Sequence, residues 1–358
     1  MIRKLKILSF LFFLVSNGLY SSAGVSEGHN SDSQKEEKFR PEQVILGHIF
    51  DAYEWHILTI GHTHISIPLP VILYSEHSGF YMFLSSKFNH GHSRYLNFEI
   101  AKEGPYKNKI VEILPNGEIY RPWDFSITKN VLAIFFSVAL ILWIFVSVAK
   151  RYKSNSLSPP KGLQSLIEPI IIFVRDDIAK SSIGKNYEKF LPFLLTLFFF
   201  IWINNLLGLV PIFPGGANVT GNITVTGALA IMTFLTTNLF GNKHYWKEIF
   251  NPDVPFWLKF PLPMMTIIEF LGIFIKPFVL MIRLFANITA GHLMILGFFT
   301  LIFVFGNMNI TAGYGISVVS IAFTIFLSIL ELLVAFIQAY VFTLLSAIYI
   351  GMATAEHH

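Results

Sequence analysis

The sequence predicts an all-α polytopic membrane protein. It should have about five spans, a helix on the membrane surface, two long and steeply tilted C-terminal helices, and a small β-rich extramembrane region at the N-terminal end. Three observations carry this. Only 13% of the 358 residues are charged and 53% are hydrophobic, against about 25% and about 45–50% in soluble domains, so there is too little charge to clothe a soluble fold. The apolar residues fall in blocks long enough to cross a bilayer. A segment with strand-like alternation precedes those blocks. The 37 phenylalanines suit lipid-facing helices. The net charge is +4, and the placement of the cations matters more than the sign, because Lys and Arg orient membrane segments; no nucleic-acid partner is expected. With no cysteine in the chain, disulfides, Cys-based zinc sites and thiol catalysis are excluded.

Residues 1–23 read as a signal peptide: basic Arg3, Lys4 and Lys6, a short apolar run Ile7–Val15, and small residues Ser21 and Ala23 near a cleavage point. The alternative, an uncleaved anchor, needs a span of about 20 residues. Residues 24–126 form the β-rich extension, extracytoplasmic if the signal is real. Alternation in Ile65-Ser66-Ile67, β-favouring residues in Phe80–Leu84 with a Ser78-Gly79 turn between them, and a second turn at Pro115-Asn116-Gly117 mark its strands. Residues 127–358 are the membrane domain. Val131–Ala149 is charge-free and is followed by Lys150, Arg151 and Lys153; Leu191–Val210 and Thr224–Gly241 are further spans. Longer blocks follow near 264–297 and 315–352, separated by the turn Gly306–Gly315. Segments 150–190 and 242–262 carry Lys and Arg whereas 211–223 and 303–314 carry none. Cytoplasmic loops hold the cations, so five spans put the N-terminal region outside and the C-terminus inside. Between the first two spans, Leu163, Ile167, Ile170, Val174 and Ile178 recur at helical spacing around Pro169; they belong to a helix on the inner membrane surface or on a partner protein.

The two C-terminal blocks exceed what a bilayer needs. Thirty-four helical residues span about 51 Å, while the hydrocarbon core is about 30 Å thick. Each helix is therefore steeply inclined or broken, with Pro277 and Gly291 as candidate breaks in the first. Steep tilt lets two helices track along the curved side of a partner.

Ionisable residues inside spans cost at least about 2.5–3.5 kcal/mol each and are functional candidates by default. The first long block holds Glu269, Lys276, Arg283 and His292; the second holds Glu331 and the polar Gln338. Glu269, Lys276 and Arg283 are seven apart and share a helix face, whereas His292, nine residues past Arg283, lies about 180° round. Glu331 and Gln338 share a face. Arg stays protonated, so it attracts a carboxylate and blocks passage; His and Glu carry protons. A fixed cation beside a separate His/Glu pair suits guided proton movement, with interhelical salt bridges as the structural alternative.

Lys276-Pro277, Arg283-Leu284-Phe285-Ala286-Asn287 and Ala290-Gly291-His292, with Glu331, Gln338 and the closing Tyr349–Ala353 and Glu356-His357, strongly resemble subunit a of F-type ATP synthases. The resemblance covers roughly 120–358. It implies a proton-translocating stator in a bacterial inner membrane, with two half-channels serving a ring of c subunits, so that proton flow drives rotation and ATP synthesis. The implied partners are that c ring, b-type peripheral stalk subunits, the rest of the complex and the lipid bilayer. Arg283 would separate the half-channels, Gln338 and Asn287 would lie beside it, and Glu269 with Lys276 would line the cytoplasmic outlet. His292 and Glu331 are exchanged relative to many bacterial members, as in mitochondrial ones; either order leaves one acid and one base. Where many members carry an Asp in the outer loop, this chain has Thr220-Gly221-Asn222.

Eight of the 12 histidines lie between His29 and His92, including His62-Thr63-His64. Imidazoles bind Zn or Cu, but this spacing defines no site; no metal or cofactor is expected. No phosphate-binding loop, G-x-S-x-G or H-E-x-x-H is present, so the chain is not expected to be catalytic alone. A proton-coupled secondary transporter would show internal repeats, and no matching halves are visible. A membrane-anchored metal-binding protein remains the other reading of the His-rich extension.

Overall fold

The computed structural model describes residues 51–60, 63–89, 91, 93–154, 159–210, 213, 215–250 and 264–355. The expected signal peptide, His29, His48, His62, His90, His92 and Glu356-His357 lie outside the described residues. The chain divides into two compact units. One comprises residues up to Ile134 with Val210–Ala217 and Thr300–Ser317; the other holds the rest.

The first unit carries the strands. β1 (Glu54–Ile60) pairs antiparallel with β2 (Thr63–Pro68). β3 (Pro70–Ser75) lies between β4 (Gly79–Leu84) and β8 (Trp123–Asp124). β6 (Ile110–Ile113) lies between β5 (Phe98–Ile100) and β7 (Ile119–Tyr120). Val71, Leu73, Phe88, Phe98 and Ile110 form the buried core, with Tyr81, Phe83 and Tyr95 packed against it. The Pro115-Asn116-Gly117 turn is present between β6 and β7: Gly117 takes φ +82°, a left-handed value that suits glycine, and donates its N–H to Leu114 O. The other expected hairpin is rearranged. Ile65–Ile67 belongs to β2 and pairs with β1, and Phe80–Leu84 pairs instead with Pro70–Ser75.

The start of the first span, through Ile134, belongs to this unit. Asp51 Oδ1 accepts the backbone N–H groups of Ala52 and Asn130, each at 3.0 Å. Because the first N–H groups of a helix have no partner within it, Asp51 caps α1 (Lys129–Ser154). Tyr53 is buried and donates to Asp124 Oδ2 at 2.5 Å. Burial, then the neighbouring Asp124 carboxylate, pushes its phenol well above the usual range.

In the second unit, α2 (Leu163–Phe173) passes through Pro169 without interruption. It runs into a π-helical stretch, Val174–Lys180, and through short turns into α3 (Tyr187–Leu209). Ile167, Val174 and Ile178 bury themselves with Phe190, Leu194, Phe198 and Phe342, so the apolar stripe read from the sequence packs on the chain's own core. Leu166 and Ile172 stay exposed on the same segment. α4 (Ile223–Leu239) is capped by Asn222, whose Oδ1 accepts Thr224 N at 2.9 Å, and is followed after a 102° bend by α5 (Lys243–Phe250).

α6 (Met264–Met308) and α7 (Ile310–Thr354) each have 45 residues, about 68 Å of helix and more than twice the hydrocarbon thickness of about 30 Å. α6 continues through both Pro277 and Gly291. The expected polar turn Gly306–Gly315 is a correction: it shrinks to Asn309, and its other residues are helical. Its glycines serve packing, since a Cβ on Gly313 would stand 2.7 Å from Gly306 Cα. Among the described residues, four helical stretches are long and apolar enough to cross a membrane, or five with the bent α4–α5 pair.

Candidate functional site

The candidate residues occupy α6 and α7, and within the second unit they separate into groups. His292 on α6 faces Glu331 on α7, with Nδ1 3.6 Å from Oε1. Glu331 is only 5% exposed, and neither carboxylate oxygen has a hydrogen-bond partner among the described residues. Gly291 makes the room: a Cβ there would lie 2.8 Å from Glu331 Oε1 and 3.0 Å from its Cδ. A buried carboxylate without hydrogen bonds is costly. An acid and a base in contact are a pair between which a proton can pass.

Gln338 and Thr324, each seven residues from Glu331, are buried like it. The seven-residue spacing therefore appears as a polar stripe along one face of α7. A neutral bridge supports this stripe, and sequence reasoning missed it. Asn205 of α3 donates Nδ2–H to Ala335 O at 3.1 Å and accepts Thr220 Oγ1–H on Oδ1 at 2.6 Å. The signal was available: Asn204-Asn205 is an adjacent amide pair in an otherwise apolar span. Thr220 thus joins the bridge, while Asn222 in the same loop serves as the α4 cap.

Arg283 sits elsewhere on α6, and its Nη2 is buried with no hydrogen-bond partner among the described residues. Its electrostatic neighbour is Tyr349 of α7. Tyr349 also receives Lys276, whose Nζ stands 5.6 Å from the ring centroid, within cation–π range. Lys276 thus packs on Tyr349 rather than pairing with Glu269, and Glu269 interacts electrostatically with Tyr245. Lys276, Tyr349, Tyr245, Asn238 and Thr237 line a cavity of about 20 Å³, room for about one water. Asn287, one turn beyond Arg283, is exposed. The structure therefore brings together His292 with Glu331 and Lys276 with Tyr349, and leaves Arg283 with an unmet donor.

A sequence profile described as ATP synthase A chain matches residues 131–351, the segment that holds every one of these side chains. The chain belongs to the ATP synthase A chain family. Subunit a of Chloroherpeton thalassium is 45% identical over 241 residues, which cover 65% of this chain and 68% of that protein. Subunit a 2 of Chlorobaculum tepidum is 42% identical over 262 residues, 70% and 71% of the two chains. Subunit a of Myxococcus xanthus is 40% identical over 241 residues, 66% and 75%. As an A chain, the protein is a multi-pass membrane component of the Fo sector, the proton-transporting part of a complex that makes ATP. A second profile, a domain of unknown function (DUF8433), matches residues 44–125, where the strands lie. Among the described residues no group of three His, Asp or Glu is placed to hold a metal ion.

Proposed function

We propose that this A chain is the proton-conducting stator of its complex, with two half-channels that serve a rotating c ring, and that it is not catalytic alone. The observation that carries this reading is Glu331: a buried carboxylate, unmet by hydrogen bonds, facing His292 at 3.6 Å. One acid and one base in contact pass a proton without moving a net charge far through a low-dielectric region. In this reading His292 and Glu331 serve the outer half-channel. Arg283, permanently protonated, keeps the two half-channels apart and releases the proton from a passing ring carboxylate to which it offers its unmet Nη2–H. Gln338 and Asn287 lie beside that encounter, and Glu269 and Lys276 line the cytoplasmic outlet. The two 45-residue helices lie inclined against the side of the ring. The chain sits in a bacterial inner membrane beside b-type peripheral stalk subunits, with a cleaved 1–23 signal peptide, a 24–126 extension outside and the C-terminus of the 127–358 membrane domain inside.

The experiment is ATP-driven proton pumping in inverted membranes carrying Arg283→Ala, with assembly verified by co-purification of the ring. Loss of pumping in an assembled complex is the expected result. Normal pumping in the assembled variant would remove Arg283 from the mechanism and with it this reading.

A further inference from the structure

The outer face of the β3–β4–β8 sheet is apolar where it should be polar. Antiparallel sheets that cover a core on one side present polar residues on the other. Here Val71, Leu73 and Phe83 face the core, and the opposite face is hydrophobic as well. Its residues form rows across the three strands. The first row is Trp123, Tyr74 and Phe80, set by the pairings Tyr74↔Trp123 and Tyr74↔Phe80. The second is Phe125, Ile72 and Met82, joined by Phe125 N–H to Ile72 O and the Ile72↔Met82 pairing. The third is Ile127, Pro70 and Leu84, joined by Ile127 N–H to Pro70 O and the Pro70↔Leu84 pairing. No row contains a charge. Trp123, Phe125, Phe80 and Met82 are 60–67% exposed, and contiguous apolar patches of this kind mark interaction surfaces.

The direction of the chain identifies what covers it. From Trp123 the strand runs through Phe125 and Ile127 into the first membrane span, which begins at Lys129. Lys129 lies four residues beyond Phe125, at most about 14 Å of extended chain. The composition is graded along this path. Arg121, Glu76 and His77 flank the end farthest from the span, Trp123 and Tyr74 come next, and apolar side chains without a hydroxyl or indole N–H fill the two nearer rows. Rings with a polar tip belong at the headgroup level, and aliphatic residues belong deeper. We infer that this sheet face is a lipid-binding surface that rests on the bilayer, with the Leu84 row deepest and the Trp123 row at the headgroups.

The test uses the full-length chain in phosphatidylethanolamine–phosphatidylglycerol vesicles. The native chain has no cysteine, so Phe80→Cys, Met82→Cys and Leu84→Cys each take one nitroxide label. Glu103→Cys, in the polar loop between β5 and β6, is the aqueous reference. Collisions with oxygen, which concentrates in lipid, are compared with collisions with a water-soluble nickel chelate. The expected result is an oxygen-to-nickel ratio severalfold above that of Glu103→Cys at Met82→Cys and Leu84→Cys, falling from Leu84→Cys to Phe80→Cys. Ratios equal to the reference at all three positions would place the face in water and overturn the inference. Shielding from both reagents would show protein cover, by residues 1–50 or by a second copy, and would overturn it equally. A gradient of the opposite sense would refute the orientation. None of these outcomes bears on Arg283 or on proton conduction.

Discussion

Gly291→Ala tests the carboxylate site without touching an ionisable group. The added Cβ would stand 2.8 Å from Glu331 Oε1, whereas a carbon–oxygen contact relaxes at about 3.3 Å or more. The carboxylate must retreat by roughly 0.5 Å, and it is the group held 3.6 Å from His292. Overpacking of this kind costs about 1–3 kcal/mol. Replacing a mid-helix glycine by alanine returns about 1 kcal/mol of helix propensity, so folding and assembly should change little. The strain falls on the side chain proposed to carry the proton, and a burden of about 1–2 kcal/mol would slow a step through it by about 5- to 30-fold. The assay is the initial rate of ATP-driven proton uptake by inverted vesicles, normalised to assembled complex. Gly297→Ala is the control, because a Cβ there meets nothing within 4 Å. If Gly291→Ala and Gly297→Ala pump equally well, Glu331 does not lie on the proton path.

Three further substitutions probe other joints. Gly351→Ala would bring a Cβ to 2.1 Å from the backbone oxygen of Ser182, an atom that cannot swing aside; the variant should assemble poorly, measured as A chain retained in purified complex. Asn205→Ala would leave Ala335 O and the Thr220 hydroxyl without their partner, at a cost of about 1–3 kcal/mol, visible as a lower melting temperature in detergent. Tyr53 is held neutral by burial and by Asp124. A phenol raised above its unfolded value, about 10, gives stability that is whole below that pH and lost as pH climbs beyond it. Protease resistance of the β unit should therefore decline above about pH 10 in the wild type and decline less steeply in Tyr53→Phe.

The candidate positions were legible because charge inside an apolar block is expensive. Arg283, His292 and Glu331 stand out of the sequence for that reason alone, and the seven-residue spacing correctly put Glu331 and Gln338 on one face. The Asn205–Thr220 bridge was not legible. Neutral amides carry a smaller penalty, and the Ala335 carbonyl that satisfies Asn205 lies 130 residues away in the chain. Glycine misled at Gly306–Gly315, where it signals close backbone approach as well as chain reversal, and the structure uses it for approach at Gly306 and Gly313. Strand pairing misled at Phe80–Leu84, because Pro70–Ser75 is apolar on both faces and shows no alternation from which to read a partner. That missing alternation was itself the mark of the second apolar face.

The cap on the first span has a consequence for how the protein is made. The carboxylate that closes the start of α1 belongs to Asp51, 79 residues upstream of its partner Asn130. An apolar segment partitions into the bilayer on its own account, but its first turn is completed only when the strands between the two residues have folded and delivered Asp51. Insertion and capping are thus separate events, and the second reports on the folding of the β unit. A chain whose β unit fails to fold still carries an inserted but open-ended span, recognisable as incomplete by exchange of the Asn130 amide hydrogen.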